Sequence, residues 1–428
     1  MTRALIIAAP SSGAGKTTVT LGLLRALRRR GVAVASAKVG PDYIDPAFHA
    51  AASGRPCRNL DPWAMRPETL RHQLGRAADG AELLIIEGVM GLFDGAADGG
   101  GSTADLAALL GIPVLLVLDV RGQTVSAAAV AKGFASFRDD VAVVGVVLNR
   151  VGSPRHAALI CPAFDGIGLP VLGALARTDG IAVPSRHLGL VQAGEQVDLE
   201  AFLDGAADAI EAAVDLDRLQ DCARPILRTE APSVAIPPLG GQIAVARDTA
   251  FAFAYPHVLD GWRAAGADLS FFSPLDDQAP ADQADAVYLS GGYPELHAGR
   301  LAAAGNFRRG MLAAAARGAT IYGECGGYMV LGDGLVDGAA MRHAMLGLLP
   351  VETSFAVPKR HLGYRRIALC AETPLGAVGA HYRGHEFHFA SETARSAVPH
   401  FGTSDGHGAA GAIVGRVFGS FLHLIDRA

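Results

Sequence analysis

Hydrophobic and polar positions follow a repeating order through the first half of the chain. Short, fully apolar runs are each followed by a helix-length stretch rich in Ala and Leu. Continuous apolar runs are typical of strands buried on both faces, in a parallel sheet that helices cover. The pattern predicts strands at Ala4–Ala9, Val32–Val39, Leu83–Glu87, Pro113–Asp119, Val141–Asn149 and Val171–Ala174, and helices at Thr17–Arg29, Thr103–Leu110 and Val125–Phe137.

A second series of strands and helices begins after a Pro-rich interval that ends in Gly-Gly. Pro and Gly at this density favour a linker between domains. We therefore predict an α/β protein with two doubly wound domains, residues 1–217 and 242–428, joined by a linker over residues 218–241. The strands predicted for the second domain are Ile243–Ala246, Leu269–Phe272, Ala286–Leu289 and Thr320–Gly323.

Composition and charge argue against several classes of protein, including disordered, disulfide-rich and nucleic-acid-coating ones. Of the 428 residues, 50% are apolar and 18% are charged, which allows large cores and excludes a disordered chain. The formal net charge is −5, so no global basic field favours nucleic acid or an anionic membrane as a partner. Five cysteines argue against a disulfide framework and favour a reducing compartment, which predicts a cytoplasmic protein. The apolar run Ala4–Ala9 is too short for a signal peptide or a membrane span.

The first predicted strand runs into a glycine-rich loop that opens the first predicted helix. Such loops turn backbone N–H groups toward phosphate oxygens, and the helix N-terminus adds partial positive charge. Lys16 is placed to reach the β- and γ-phosphates of ATP, and the Thr17 hydroxyl to ligate Mg²⁺. Pro10 replaces the first glycine of the usual motif, but the strand–loop–helix context is kept. The predicted ATP-binding residues of this loop are Gly13, Ala14, Gly15, Lys16, Thr17 and Thr18.

Polar residues follow other predicted strands, at the edge where parallel sheets bind ligands. Glu87 closes an otherwise apolar strand, an unfavourable place for a carboxylate unless it is paired or binds a metal. Asp45 and Glu87 are the expected Mg²⁺ ligands, whereas Asp42 fits a turn cap equally well. Lys38 is placed to stabilise charge on a phosphoryl group in transfer. Asn149 fits either a nucleobase contact or a turn.

A candidate nucleophile stands in the second half of the chain. Cys325 lies between a buried strand and a helix, in a tight turn that Gly323 and Gly326 flank. Such turns expose a nucleophile above an α/β sheet, and the helix N-terminus is expected to lower the thiol pKa. The backbone N–H groups of Gly292 and Gly326 are expected to form an oxyanion hole. Spacing alone does not choose the base among three candidate histidines, which are His385, His388 and His423.

Together these features resemble the cobyrinate/hydrogenobyrinate a,c-diamide synthase family of cobalamin biosynthesis, over nearly the whole chain. The front half is similar to P-loop synthetases of the dethiobiotin synthetase type. The back half is similar to class I glutamine amidotransferases of the cobyric acid synthase type, which implies a flavodoxin-like sheet. The motifs that carry the resemblance are GPDYIDP at 40–46, NLDPW at 59–63, EGVMGLFDG at 87–95 and HLGYR at 361–365.

For the back half, the resemblance implies that Cys325 attacks glutamine to release ammonia and that His423 is the base. Many class I relatives place a Glu two residues after this His, where the chain has Ile425. A Cys–His dyad is therefore expected rather than a full triad. Asp426 and Glu386 are both open as residues that assist His423.

For the front half, the resemblance implies that ATP phosphorylates a substrate carboxylate and that ammonia displaces phosphate to form an amide. Ammonia is expected to pass between the domains shielded from water. The resemblance implies that the a and c carboxylates of a corrinoid are amidated in turn. The expected small-molecule partners are therefore this corrinoid, glutamine and ATP. Whether the protein forms a homodimer is left open. The implied Mg²⁺ and phosphate set is Lys16, Thr17, Asp45 and Glu87; Asp94 is expected to orient the reacting carboxylate, and Asp42, Tyr43, Arg360 and Arg365 to contact substrate carboxylates.

Three alternatives compete with this interpretation. A partitioning-type P-loop ATPase carries a lysine five residues before the P-loop lysine, where this chain has Ser11. A cobyric acid synthase shares both domain types, but the motif at 41–46 favours the a,c enzyme. The back half could also be an inactive scaffold of an enzyme that uses free ammonia.

The composition also bears on which corrinoid is the substrate. Only four of the 37 basic residues are Lys, and this preference for Arg favours a GC-rich genome, compatible with an aerobic bacterium. Such an organism is expected to use the metal-free hydrogenobyrinic acid rather than cobyrinic acid.

Overall fold

The chain divides into two units, each with its own hydrophobic core. The structure is a computed structural model, and it describes residues 1–177, 198–227, 234–403 and 408–428. The first unit holds Met1–Trp63 and Leu70–Ala231, and the second holds Ala64–Thr69 and Pro232–Ala428. Among the described residues, no helix combines the length and apolarity needed to cross a bilayer.

Apolar runs of the first half form a central sheet. Its strands are β1 Arg3–Ala8, β2 Val34–Val39, β3 Arg58–Leu60, β4 Leu83–Glu87, β5 Val114–Asp119, β6 Val143–Val151, β7 Val171–Ala176 and β8 Arg224–Pro225. The order is β3-β2-β4-β1-β5-β6-β7 with all neighbours parallel, and β8 pairs antiparallel with β1. Most side chains of β1, β2, β4 and β5 are buried, as expected for strands covered on both faces. The parallel sheet of the first domain is therefore confirmed.

Helices connect these strands. They are α1 Lys16–Arg29, α2 Asp45–Ser53, α3 Pro67–Ala77, α4 Thr103–Leu110, α5 Ser126–Ser136, α6 Pro154–Ile160, α7 Pro162–Asp165, α8 Leu199–Ala213 and α9 Leu216–Cys222. Helix α9 and strand β8 overlap the range predicted as a linker, 218–241, and residues 228–233 of that range lie outside the described residues. Because β8 joins the sheet at β1, the chain continues to pack on the first unit through Pro225.

The second unit contains a sheet of the predicted kind. Its strands are β9 Gln242–Ala246, β10 Asp268–Phe272, β11 Ala286–Leu289, β12 Thr320–Glu324, β21 Ala412–Val414 and β22 Val417–Ser420. The order is β10-β9-β11-β12-β22-β21, parallel except for the pair β21 and β22. The accompanying helices are α10 Pro256–Ala264, α11 Ala298–Ala303, α12 Gly305–Ala316 and α13 Gly326–Leu331, with a 3₁₀ turn at Pro294–Leu296. The α/β class predicted for this domain is thus confirmed.

Two further sheets in the second unit escaped the sequence-based prediction. Their strands are β13 Gly334–Val336, β14 Arg342–Ala344, β15 Val351–Ser354, β16 His361–Leu369, β17 His381–His388, β18 Ser391–Arg395, β19 Phe401–Thr403, β20 Gly408–Ala410 and β23 Leu422–Arg427. One sheet has the order β14-β13-β15-β18 and the other has the order β20-β19-β16-β17-β23. The second of these is antiparallel throughout, and its last strand carries His423.

Candidate active sites

The glycine-rich loop lies between β1 and α1, as its sequence predicts. Gly13 and Gly15 have φ values of 77° and 94°, a left-handed backbone that glycine adopts readily. The Lys16 ammonium donates to the Ser11 carbonyl, at 3.3 Å, and to the Met90 carbonyl. Burial lowers the pKa of Lys16 to about 8. Thr17 and Thr18 follow in the first turn of α1. The loop, the lysine and the helix N-terminus are therefore arranged as in a phosphate-binding site.

The predicted Mg²⁺ ligands converge with the loop at the carboxyl edge of the sheet. The Thr17 hydroxyl donates to Glu87 Oε1 at 2.6 Å. Lys38 Nζ lies 2.9 Å from the same oxygen and 2.6 Å from Asp45 Oδ2. Because β2 and β4 pair in parallel, Lys38 and Glu87 are direct neighbours across the sheet. Three oxygen-bearing side chains and one buried ammonium thus share a single cluster.

Electrostatics in this cluster follow from burial and mutual contact. Burial acts to raise the pKa of Glu87, but Lys38 and His49 outweigh it and hold that pKa well below its usual range. Burial, with the neighbouring charge of Asp42, raises the pKa of Asp45 to about 6. Burial acts to lower the pKa of Lys38, but Glu87 and Asp45 raise it above the usual lysine range. Lys38 is therefore a permanent cation, whereas Asp45 titrates close to neutral pH.

His49 is a member of this cluster that the sequence-based prediction missed. Its Nε2 lies 2.6 Å from Glu87 Oε2, and its Nδ1 lies 3.6 Å from the Cys57 sulfur. Burial acts to lower the pKa of His49, but Cys57 and Glu87 outweigh it and raise the value to about 10. His49 follows Asp45 by one helical turn in α2, so both project from one face, and this spacing was the available signal. Glu87 is consequently held by a cation on each oxygen.

Other acids of this edge have structural contacts. Asp42 Oδ1 accepts from the backbone N–H groups of Ile44, at 2.7 Å, and Asp45, at 3.1 Å. This is the turn cap that the sequence left open for Asp42. Asp94 Oδ2 accepts from the Gly91 N–H at 2.9 Å, which shapes the loop after β4. Tyr43 is half-buried in the loop between β2 and α2.

Asn149 supports the glycine-rich loop from the neighbouring strand β6. Its Nδ2 donates to the Ala14 carbonyl at 2.9 Å, and its Oδ1 accepts from the Arg150 N–H at 2.9 Å. A Cβ built on Gly15 would lie 2.2 Å from Nδ2, so only glycine allows this approach. Both ends of the amide are thus engaged with backbone. A cavity of about 110 Å³, lined in part by Ala14 and Asp119, opens beside the loop.

Cys325 occupies the expected turn between β12 and α13. Its φ of 48° and ψ of −105° are a strained conformation for a non-glycine residue, as in turns that expose a nucleophile. One expectation is wrong: the helix N-terminus does not bring the thiol pKa below its usual range, because opposing effects outweigh it. Burial, with Glu295 as the next cause, raises the pKa of Cys325 above its usual range, although a backbone hydrogen bond from Gly326 opposes the rise. The thiol therefore needs a base to become a nucleophile.

Two predicted groups surround Cys325. A Cβ built on Gly291 would lie 2.5 Å from His423 Cε1, 3.4 Å from His423 Nε2 and 3.4 Å from Cys325 Cβ. His423 and Cys325 thus both approach Gly291. A Cβ built on Gly326 would lie 3.0 Å from the Gly292 nitrogen, so the backbones of the two predicted oxyanion-hole residues also meet beside Cys325. Among the three candidate histidines, this geometry favours His423 as the base.

The remaining two histidines have other surroundings. His385 lies opposite His423 on β17, with ring centroids 4.9 Å apart, and burial lowers its pKa well below the usual histidine range. His388 Nδ1 lies 2.8 Å from the Ala390 carbonyl, and its Nε2 lies 2.9 Å from Glu386 Oε1. Arg365 donates to the other Glu386 oxygen through Nη2 at 2.7 Å. Glu386 is therefore committed to Arg365 and His388.

His361, Glu386 and His388 bring ligand-type atoms within 4.8 Å of one another. Burial acts to raise the pKa of Glu386, but His388 and Arg365 outweigh it and lower the value to about 2. The Arg365 guanidinium already compensates this carboxylate, so the cluster is a charge-balanced network as it stands. It borders a cavity of about 580 Å³, which the exposed side chain of Arg360 also lines. The two arginines predicted to contact substrate carboxylates therefore share one cavity.

Comparison with known proteins covers both units. A CobB/CobQ-like glutamine amidotransferase domain matches residues 242–427, and a CobQ/CobB/MinD/ParA nucleotide binding domain matches residues 5–191. Hydrogenobyrinate a,c-diamide synthase of Brucella anthropi is 55% identical over 432 residues, which cover 99% of this chain and 98% of that protein. Proteins of the same name from Rhizobium meliloti and Mesorhizobium japonicum are 55% and 54% identical, and the alignments cover 99% of each.

Proposed function

The chain belongs to the hydrogenobyrinate a,c-diamide synthase family, and on this premise we propose that it amidates the a and c carboxylates of hydrogenobyrinic acid, with glutamine as nitrogen donor and ATP as energy source. The observation that carries the proposal is identity of about 55% along the full chain, which includes both domain types. The cluster of Lys16, Thr17, Asp45 and Glu87 in the first unit and the pair of Cys325 and His423 in the second supply the chemistry that such a reaction needs.

In the first unit, the glycine-rich loop and Lys16 hold the phosphates of ATP. Thr17, Asp45 and Glu87 offer the oxygen donors that Mg²⁺ prefers, and we propose them as its ligands. Bound there, Mg²⁺ supplies positive charge that neutralises the phosphate oxygens. Lys38 lies between two of these carboxylates, where its cation is placed to stabilise charge on the phosphoryl group during transfer.

Phosphorylation solves the chemical difficulty of the reaction. An ionised carboxylate resists ammonia because its oxygen is a poor leaving group. When the carboxylate oxygen attacks the γ-phosphorus of ATP, the bond from that phosphorus to ADP breaks and an acyl phosphate forms. Ammonia then attacks the acyl carbon and phosphate leaves, which gives the amide. We propose that Asp94, on the loop after β4, orients the reacting carboxylate, and that Asp42 and Tyr43 contact substrate carboxylates.

In the second unit, His423 takes the proton of the Cys325 thiol, and the thiolate attacks the carboxamide carbon of glutamine. The backbone N–H groups of Gly292 and Gly326 stabilise the oxyanion that forms. Ammonia leaves with the proton that His423 returns, and water hydrolyses the remaining thioester to glutamate. The raised pKa of the thiol makes the base essential to this step.

A polycarboxylate substrate needs local cations, since the chain has a net charge of −5. We propose that Arg360, which is exposed, and Arg365, which is buried, contact corrinoid carboxylates from the cavity of about 580 Å³ that both line. Residues 1–217 and 242–428 are proposed as the synthetase and glutaminase domains, with a linker over 218–241. A cytoplasmic location is also proposed because the reaction consumes ATP and glutamine.

The proposal is tested by comparing nitrogen sources. Cys325→Ser should lose amidation with glutamine and keep amidation with ammonium salt, measured as amidated corrinoid by mass spectrometry. Cys370→Ser, at an exposed cysteine, is the matched control and should keep both. Full glutamine use by Cys325→Ser would contradict the glutaminase assignment. Product in which carboxylates other than a and c are amidated would instead favour a cobyric acid synthase.

A further inference from the structure

A buried carboxylate lies beside the imidazole of His423. Glu324 ends β12, directly before Cys325, and is 4% exposed. Its Oε2 lies 3.7 Å from His423 Nδ1. A Cβ built on Gly291 would lie 3.4 Å from His423 Nε2 and 3.4 Å from Cys325 Cβ. The imidazole therefore has a carboxylate beside Nδ1, while its Nε2 and Cys325 both approach Gly291.

The Glu324 carboxylate is held in place by three donors. The Tyr288 hydroxyl donates to Oε2 at 2.7 Å, and the Tyr322 hydroxyl donates to Oε1 at 2.8 Å. The Leu424 N–H donates to Oε1 at 3.2 Å, from the residue next to His423. Burial, with Glu324 as the next cause, raises the pKa of both tyrosines well above the usual range, so both hydroxyls remain donors. A carboxylate fixed in this way can orient a neighbouring ring.

We propose that Glu324 is the positioning residue for His423. It holds the tautomer with hydrogen on Nδ1, which leaves the Nε2 lone pair toward the thiol. When Nε2 takes the proton of Cys325, the Glu324 carboxylate stabilises the imidazolium that forms. The inference rests on the proposed glutaminase reaction. Closing the gap from 3.7 Å to a hydrogen bond of about 3 Å needs only the tightening that active sites show when substrate binds.

The two acids that the sequence left open for this role have other partners. Asp426 accepts from the Arg66 N–H at 2.9 Å and from Arg66 Nη2 at 2.9 Å. Glu386 is bound by Arg365 and His388. The partners given above for Asp426 and Glu386 do not include His423, whereas Glu324 Oε2 lies 3.7 Å from His423 Nδ1.

The surroundings of His423 contain further titratable groups that a test must consider. They include Glu324 and Tyr322 on β12, Tyr288 on β11, His385 on β17 and Cys325, whose thiol is also affected by Glu295 and Glu386. Burial lowers the pKa of His385 well below the histidine range, so this ring is neutral. Glu324 is thus the carboxylate that faces the ring among these groups.

The test is the steady-state hydrolysis of glutamine by Glu324→Gln, which is nearly isosteric. We expect kcat to fall by about 10² to 10⁴-fold and KM for glutamine to change by less than about 3-fold, because the imidazole loses its orientation and the glutamine contacts are kept. Amidation driven by ammonium salt should stay within about 2-fold of the wild type, which shows that the protein is folded. Glu372→Gln, at an exposed glutamate, is the matched control and should keep the glutaminase kcat within about 3-fold.

Several results would overturn the role of Glu324. One is a Glu324→Gln enzyme with wild-type kcat, and another is an equal loss in Glu372→Gln. Cys325→Ser is assayed in parallel: if it still uses glutamine, the glutaminase assignment fails, whereas an active Glu324→Gln beside an inactive Cys325→Ser refutes the role of Glu324 alone. If Glu324→Gln does not fold, the double variant Tyr288→Phe/Tyr322→Phe replaces it. It removes two donors to the carboxylate and should lower kcat about 10-fold at constant KM; an unchanged kcat refutes the proposal.

Discussion

Lys38 and Glu87 face each other across neighbouring parallel strands, with the ammonium nitrogen 2.9 Å from the carboxylate oxygen that also accepts from Thr17. The same ammonium lies 2.6 Å from Asp45. One buried cation therefore compensates both carboxylates proposed for Mg²⁺. Burying such charges is unfavourable unless each has a partner, and here Lys38 and His49 are the partners of Glu87.

Removing the charge of Glu87 should destabilise the first unit and abolish amidation from either nitrogen source. Glu87→Gln leaves Lys38 and His49 without their shared partner, and breaking a buried pair costs about 3–5 kcal/mol. The pKa of Glu87 is depressed in the folded state, so its contribution is present above about pH 4.5 and is lost as pH falls below that value.

Calorimetry checks the Glu87 prediction. A ligand stabilises the unit that binds it, so the unfolding transition of the first unit is the one whose midpoint temperature ATP raises. The midpoint of that transition is compared between Glu87→Gln and the wild type. The deficit of Glu87→Gln relative to the wild type should be largest at neutral pH and should shrink toward about pH 3. A deficit that does not depend on pH would show that the charge of Glu87 is not the cause.

Asp45→Asn should show the opposite pH dependence. The pKa of Asp45 is raised to about 6 by burial and by Asp42, so its protonated form is favoured on folding. Asp45 therefore contributes its full stabilisation at pH values below its pKa in the unfolded chain, and this stabilisation is lost as pH rises through about 6. A neutral Asn mimics the protonated acid, so the variant should gain stability relative to the wild type between about pH 4 and pH 8. The calorimetric difference should move in this direction; a difference that falls with pH would contradict it.

Lys16→Ala should abolish amidation with glutamine and with ammonium salt, because both need ATP activation of the carboxylate. Hydrolysis of glutamine by Cys325 should persist. Lys132→Ala, at an exposed lysine, is the matched control and should behave as the wild type. Burial lowers the pKa of Lys16 to about 8, so ATP affinity measured by calorimetric titration should weaken as pH rises through this value. Ammonia-driven synthesis by Lys16→Ala would refute the phosphate role.

Gly291→Ala tests the geometry of the glutaminase site without removing a functional group. The added Cβ would lie 2.5 Å from His423 and 3.4 Å from Cys325 Cβ, so the imidazole must shift. We expect glutamine hydrolysis to fall by at least about 10²-fold, since misplacement of about 1 Å can have that effect. Gly338→Ala is the control, because its Cβ would meet no atom within 4 Å. Unimpaired hydrolysis in Gly291→Ala would place the base elsewhere.

The sequence predicted most of the parallel strands of both units. Strands such as Leu83–Glu87 and Ala286–Leu289 are buried apolar runs with polar residues at their ends, and the structure has both with the predicted bounds. The antiparallel strands β16 and β17 were missed because they carry many His and Arg residues, whose partners are known only after pairing. His361, for example, lies opposite His388.

The site features that the sequence-based prediction missed differ in how strong a signal the sequence carried for them. Glu324 closes a buried strand, which is the same signal that singled out Glu87, but the neighbouring Cys325 drew the functional interpretation. His49 is marked only by its helical spacing from Asp45. The raised pKa of Cys325 was not predictable, because it depends on complete burial and on Glu295 rather than on the local helix.

The central claim is that one unit releases nitrogen from glutamine and the other activates a carboxylate with ATP to receive it. The most direct measurement supplies glutamine labelled with ¹⁵N in its amide and hydrogenobyrinic acid labelled with ¹⁸O in its carboxylates, followed by mass spectrometry of corrinoid and phosphate. Two ¹⁵N atoms should enter each corrinoid, at a and c, and each amide formed should deliver one ¹⁸O to inorganic phosphate. Product without ¹⁵N, or phosphate without ¹⁸O, would contradict the account.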